Sequence, residues 1–129
     1  MARDAVEVVR MAIEGWERGE WRFIEESFHE DAVWVNNARP DGVFEGHEGL
    51  RAAYRSWVGA WKEYEATHGE LIDAGDGVVV YEMTERGVSK GSGLPVQHTA
   101  AVVARVERGK IARLDTYRTF DEARAAAGL

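Results

Sequence analysis

Side chains able to carry protons, bind metals or attack carbonyls are few in this chain, and their spacing narrows the chemistry further. Cysteine is absent, which removes thiolate nucleophiles, thiolate metal sites and disulfides. The four histidines, His29, His47, His68 and His98, form no H-E-x-x-H pattern, and no two lie four apart on one helix, so no metal site is expected. No G-x-S-x-G elbow occurs, and Gly91-Ser92-Gly93 lacks the Lys-Ser/Thr continuation of a phosphate cradle, which makes it a turn between strands. What remains is acid-base chemistry by imidazole and carboxylate. His98 precedes Ala100 and Val102 in an alternating run, where it serves either as a general base at neutral pH or as an exposed, structurally bonded side chain. Glu85 is either an acid at a pocket rim or a solvated glutamate near a strand end. Asn36 follows Val33-Trp34-Val35; its amide must find hydrogen-bond partners if buried, or else it forms a turn. Arg118 either meets an anionic ligand or pairs with Asp121 or Glu122.

The elements that must position these groups follow from periodicity. Val6, Val9, Ile13 and Trp16 recur at spacings of three and four, predicting a helix over 4–18 that Gly19 ends. Trp21, Ile24 and Phe28 repeat the pattern over 20–28. A β-branched and aromatic strand is expected over 31–36, then a Pro- and Gly-containing loop over 37–42. Gly46-His47-Glu48-Gly49 opens a longer helix in which Leu50, Tyr54, Trp57, Trp61 and Tyr64 form an aromatic ridge. Strands over 65–73, 78–88, 95–107 and 110–120, joined by Gly-containing turns, make an antiparallel meander, and 121–127 is a last short helix. Helices followed by hairpin-linked strands make an α+β chain with helices covering one sheet face. The 78–86 segment is partly apolar on both faces, so cover is expected on both.

At 129 residues the chain is expected to form a single domain over 1–129. Sixteen Lys and Arg against 23 Asp and Glu give a net charge of −7, which disfavours nucleic acid and anionic membranes as partners. No apolar run approaches the roughly 20 residues of a membrane-spanning helix. The start leads into an amphipathic segment, which makes a cytoplasmic location the expectation. All five tryptophans fall between positions 16 and 61, and that asymmetry requires explanation.

Several motifs together resemble the SnoaL-like proteins, within the nuclear-transport-factor-two-like superfamily that also holds ketosteroid isomerases and limonene epoxide hydrolases. They are Phe28-His29-Glu30-Asp31-Ala32-Val33-Trp34, Phe44-Glu45-Gly46-His47-Glu48-Gly49-Leu50-Arg51, Leu71-Ile72-Asp73-Ala74-Gly75-Asp76-Gly77-Val78-Val79, Gly91-Ser92-Gly93-Leu94-Pro95-Val96 and the closing Gly109-Lys110-Ile111-Ala112-Arg113-Leu114-Asp115-Thr116-Tyr117. The resemblance implies a cone-shaped α+β fold whose N-terminal helices pack on a curved antiparallel sheet around an apolar pocket, with the outer sheet face available for a homodimer. It implies that Trp16, Trp34, Asn36, Tyr54, Trp57, Trp61, Tyr81, Met83, Glu85, His98, Ala100, Val102, Leu114, Thr116 and Arg118 line that pocket. Asp115 and Tyr117 fall on the outer face.

The resemblance also limits the chemistry. The isomerases need a base where Asn36 stands, a tyrosine near Ala12 and a second acid near Val102, so their mechanism is not expected. Of the epoxide hydrolase water site, Asn36 is matched, Trp34 replaces a tyrosine, and the relay positions fall on Ala100, Val102 and Thr116, none of which titrates. A cyclase-like reaction asks for less, and His98 and Glu85 supply proton carriers for it, with Asn36 orienting substrate or water. The expected function is cofactor-free isomerase, cyclase or hydrolase chemistry on a small apolar or aromatic molecule. The alternative is a non-catalytic ligand carrier or dimeric interaction module.

Overall fold

The structure is a computed structural model and describes residues 4–19, 22–38 and 41–129. Helix α1 (Ala5–Arg18) begins where the Asp4 side chain accepts the Val6 N–H at 2.9 Å, and ends where Gly19 turns left-handed at φ 72°. Its apolar stripe buries Val8, Val9, Ala12 and Ile13. Gly15 lies in that stripe because a Cβ there would stand 2.2 Å from Phe23 Cβ, so the missing side chain lets α2 (Arg22–Ser27) pack close. The predicted second helix is thus shorter than expected. Phe28 belongs to strand β1 (Phe28–Asn36), and Trp21 lies outside the described residues.

A short strand β2 (Val43–Glu45), not foreseen in the sequence, leads into α3 (Gly46–Gly59). The predicted aromatic ridge is interrupted there. Trp61 and Tyr64 are not helical but lie on strand β3 (Trp61–His68), after which come β4 (Ile72–Gly75), β5 (Val78–Ser89), β6 (Pro95–Glu107), β7 (Lys110–Tyr117) and α4 (Phe120–Ala126). The physical reason is a register shift between Trp61 and Glu63 where β3 pairs β5. Such a bulge turns the strand spacing of two into three, and the result imitates a helical stripe.

The seven strands form one sheet in the order β2-β1-β7-β6-β5-β3, with β4 also on β5. The expected first meander strand is therefore two strands, β3 and β4, on the same edge of β5. Asp76-Gly77 and Arg108-Gly109, all at positive φ, make the two-residue turns that reverse β4 into β5 and β6 into β7. Every described pairing is antiparallel except β1 with β7, which is parallel and joins the two ends of the chain. The sheet is curved and unclosed.

Each sheet face has its own apolar cluster. On the concave side Val79, Tyr81, Val102, Ala104 and Ile111 pack against α1, α2 and α3. On the outer side Val78, Val80, Ala101 and Val103 pack against Ala123, Tyr117 and Phe120, so α4 covers the centre of that face. Thr119 caps α4 by accepting the Glu122 N–H at 3.1 Å and donating to its carboxylate at 3.0 Å. No helix among the described residues is long and apolar enough to cross a membrane.

Candidate functional site

Between the helices and the concave face lies a cavity of about 120 Å³. Alternation along the strands decides what enters it. From β1 come Trp34 and Asn36, from β5 Tyr81, Met83 and Glu85, from β6 His98, Ala100 and Val102, and from β7 Leu114 and Thr116. Helix α1 adds Ala12, Ile13 and Trp16, and α3 adds Leu50 and Trp57. The wall is mainly apolar, with its polar atoms confined to a few strand positions.

Three expected lining residues lie elsewhere. Tyr54 is buried behind the wall, its ring 4.6 Å from Trp16 and 5.6 Å from Phe23 between centroids. Trp61 is buried against Trp57 at 5.8 Å and Tyr64 at 5.3 Å. Arg118 follows the last residue of β7, where alternation no longer sets direction, and its exposed guanidinium donates to the Ala38 carbonyl at 3.3 Å.

Glu85 is the polar centre. It is only 6% exposed, and far from ending a strand it sits well inside β5, between Ala66 of β3 and His98 of β6. Trp57 Nε1–H donates to Glu85 Oε2 at 2.6 Å, and the Tyr64 hydroxyl donates to the same oxygen. Tyr64 in turn accepts from Trp16 Nε1–H at 3.0 Å. Among the described residues none donates to Oε1, and no cationic side chain forms an ion pair with this carboxylate. One oxygen is therefore fixed and the other is left for the cavity. Burial, then the adjacent negative charge of Glu85 and the hydrogen bond to it, push the Tyr64 phenol well above the ordinary tyrosine range. It remains a donor at any physiological pH.

Tyr64 and its bond were missed in the sequence because its spacing from Trp61 reads as helical. The alternation of Tyr64, Ala66 and His68, running into the strand expected over 65–73, was the available signal.

Asn36 does two things at once. Its Oδ1 accepts the Ala38 N–H at 3.1 Å, as a turn-forming asparagine does, and the side chain also borders the cavity. That backbone donor fixes the amide's orientation and leaves Nδ2–H₂ as the group offered to a ligand. Trp34 Nε1–H donates to Thr116 Oγ1 at 2.8 Å, tying β1 to β7 across the cavity wall. His98 is exposed at the cavity margin, with its ring 6.1 Å from that of Trp57. Burial also pushes Tyr81 far up, so its hydroxyl too stays protonated. Among the described residues no group of three His, Asp or Glu side chains is placed to hold a metal ion.

The sequence matches the SnoaL-like domain family over residues 9–114. No curated protein matches it significantly. Among solved structures, an NTF2-like protein of unknown function from Burkholderia pseudomallei is 19% identical with a TM-score of 0.76, the match covering 98% of this chain and 100% of that one. A putative SnoaL-like polyketide cyclase from Mesorhizobium loti is 19% identical over 89% of this chain and 99% of its own, with a TM-score of 0.76. A hypothetical protein of ketosteroid isomerase-like fold from Catenulispora acidiphila, solved in complex with trimethylamine, is 21% identical over 95% of this chain and 93% of its own, with a TM-score of 0.74. The chain belongs to the SnoaL-like domain family.

Proposed function

We propose that this SnoaL-like chain binds a small, mostly apolar or aromatic molecule in its cavity and catalyses cofactor-free proton transfer on it, as an isomerase, cyclase or hydrolase. The observation that carries this reading is Glu85: a carboxylate buried in an apolar cavity, with Oε2 held by Trp57 and Tyr64 and Oε1 open. A fixed carboxylate in a water-poor wall is a competent proton acceptor, because its orientation is set before substrate arrives.

In this mechanism Glu85 Oε1 takes a proton from a substrate carbon or from an attacking water. The negative charge that develops on a substrate oxygen is met by Asn36 Nδ2–H₂. His98, beside Glu85 on the neighbouring strand, carries the proton at the cavity margin and returns it to the product. Each proton removed is thus delivered, and no electron leaves the substrate.

A thermal-shift screen with small aromatic ketones, aromatic acids and epoxides identifies the ligand class, and turnover of the hits tests the chemistry. Both Glu85→Gln and His98→Ala are expected to lower turnover by about 100-fold or more; unchanged turnover in both would sink the assignment. The non-catalytic carrier is the second reading. It is favoured by the untitratable Ala12, Ala100, Val102 and Thr116 at the positions where the isomerase and hydrolase relatives carry their machinery. Ligand binding without turnover is its signature.

A further inference from the structure

The charge inside the cavity is one-sided. We propose that the ligand is a small amine, bound as its ammonium ion with the charged nitrogen at Glu85 Oε1 and its apolar body against Trp57, Trp16 and Trp34. This rests on the cavity being the ligand site, as proposed above, and not on the proton-transfer step.

Among the described residues no lysine or arginine lines the cavity, and Glu85 is the single carboxylate. Both donors to Glu85, the indole of Trp57 and the phenol of Tyr64, are neutral, and both act on Oε2. They orient the group but do not cancel its charge. A buried carboxylate without a cation is costly, and removing that cost is what a cationic ligand does and a neutral or anionic one does not. His98, the one imidazole among the described lining residues, is exposed, and no ion pair joins it to Glu85.

The surrounding surfaces fit the rest of such a ligand. Tryptophan rings attract ammonium and its polarised methylene groups more strongly than aliphatic walls do. The volume of about 120 Å³ matches one aromatic ring, since apolar cavities of roughly 150 Å³ hold benzene. The net charge of −7 also raises the local concentration of cations over anions.

Benzylamine, benzyl alcohol and benzoate share a ring and differ in charge, and tryptophan fluorescence titration near neutral pH measures their affinities. Benzylamine is expected to bind at least about tenfold more tightly than benzyl alcohol, with benzoate weakest. Glu85→Gln is expected to erase the preference for amine over alcohol. His98→Lys, an exposed substitution that places a fixed cation across from Glu85, is expected to do the same without burdening the fold. Ala100→Trp, which fills the cavity, is expected to abolish binding of all three. Equal affinity for alcohol and amine, with both lost in Ala100→Trp, overturns the amine while leaving the cavity as a ligand site. Binding that survives Ala100→Trp, or no binding of any of the three, overturns the amine proposal and counts against the cavity as well.

Discussion

Trp16, Tyr64, Glu85 and Trp57 form a hydrogen-bonded chain in which Tyr64 is the only member that both gives and receives. Tyr64→Phe strands the Trp16 N–H and removes one donor from Glu85, and is expected to cost about 1–3 kcal/mol in urea unfolding. The pH dependence has a definite sign. An unfolded tyrosine loses its proton near pH 10.0, while folded Tyr64 holds it higher, so its stabilising contribution is complete below pH 10 and declines as pH rises beyond it. Tyr81 acts in the same direction. The melting temperature is therefore expected to fall above about pH 10, more shallowly in Tyr64→Phe. Asn36 separates fold from function at one position. Asn36→Asp keeps the acceptor for the Ala38 N–H but loses the Nδ2 donor, whereas Asn36→Ala loses both, at about 0.5–1.5 kcal/mol of stability. Asn36→Ala is expected to weaken ligand binding, and intact affinity in it would refute the orienting role.

Two elements meet only because a glycine stands between them and their neighbours. A Cβ on Gly87 would lie 1.6 Å from the Glu63 carbonyl oxygen and 2.9 Å from the Trp61 ring, so β3 cannot hold its bulged course beside any other residue. Gly87→Ala is expected to destabilise by about 3 kcal/mol or more, measured by denaturant midpoint. Gly15→Ala gains helix propensity of about 1 kcal/mol and loses more through the collision with Phe23. The same elements mark the boundary of what the sequence disclosed. Alternation in 78–88, 95–107 and 110–120, together with family motifs, read the strand faces correctly, because one inverted register would have turned Tyr81, Val102 and Leu114 outward. At Trp61 and Tyr64 that logic gave way, since a bulge has no compositional signature and its three-residue spacing extends the stripe of α3 without a break. Tyr64 was lost from the site for that reason, and Glu85 stayed open between a rim acid and a solvated glutamate because its burial depends on β3 lying beside β5. Arg118 failed at the opposite limit, one residue past the strand that was to aim it.

For the molecule as a whole, α4 alters what the outer sheet face can offer. Its cover leaves the apolar centre of that face unavailable, and the uncovered part carries Thr84, Arg86, Gln97 and Thr99. A homodimer through this face, which we propose as the state in solution, must therefore use a polar surface. Light scattering is expected to give twice the 14.4 kDa chain mass, and Thr99→Arg to return the monomer; a wild-type monomer removes the interface. The tryptophan asymmetry also acquires its meaning at this scale, since Trp16 and Trp57 come from helices that cover the cavity and Trp34 from β1 beside β7, while β5, β6 and β7 complete its sheet wall. That division runs along the chain and hence along the time axis of synthesis. Trp34 waits for Thr116, its hydrogen-bond partner 82 residues later, and at ribosomal speeds of 5–20 residues per second the interval is roughly 4–16 s. Throughout it the aromatic half has no sheet wall to close against, and the parallel β1–β7 pairing becomes possible only once the last strand has been made.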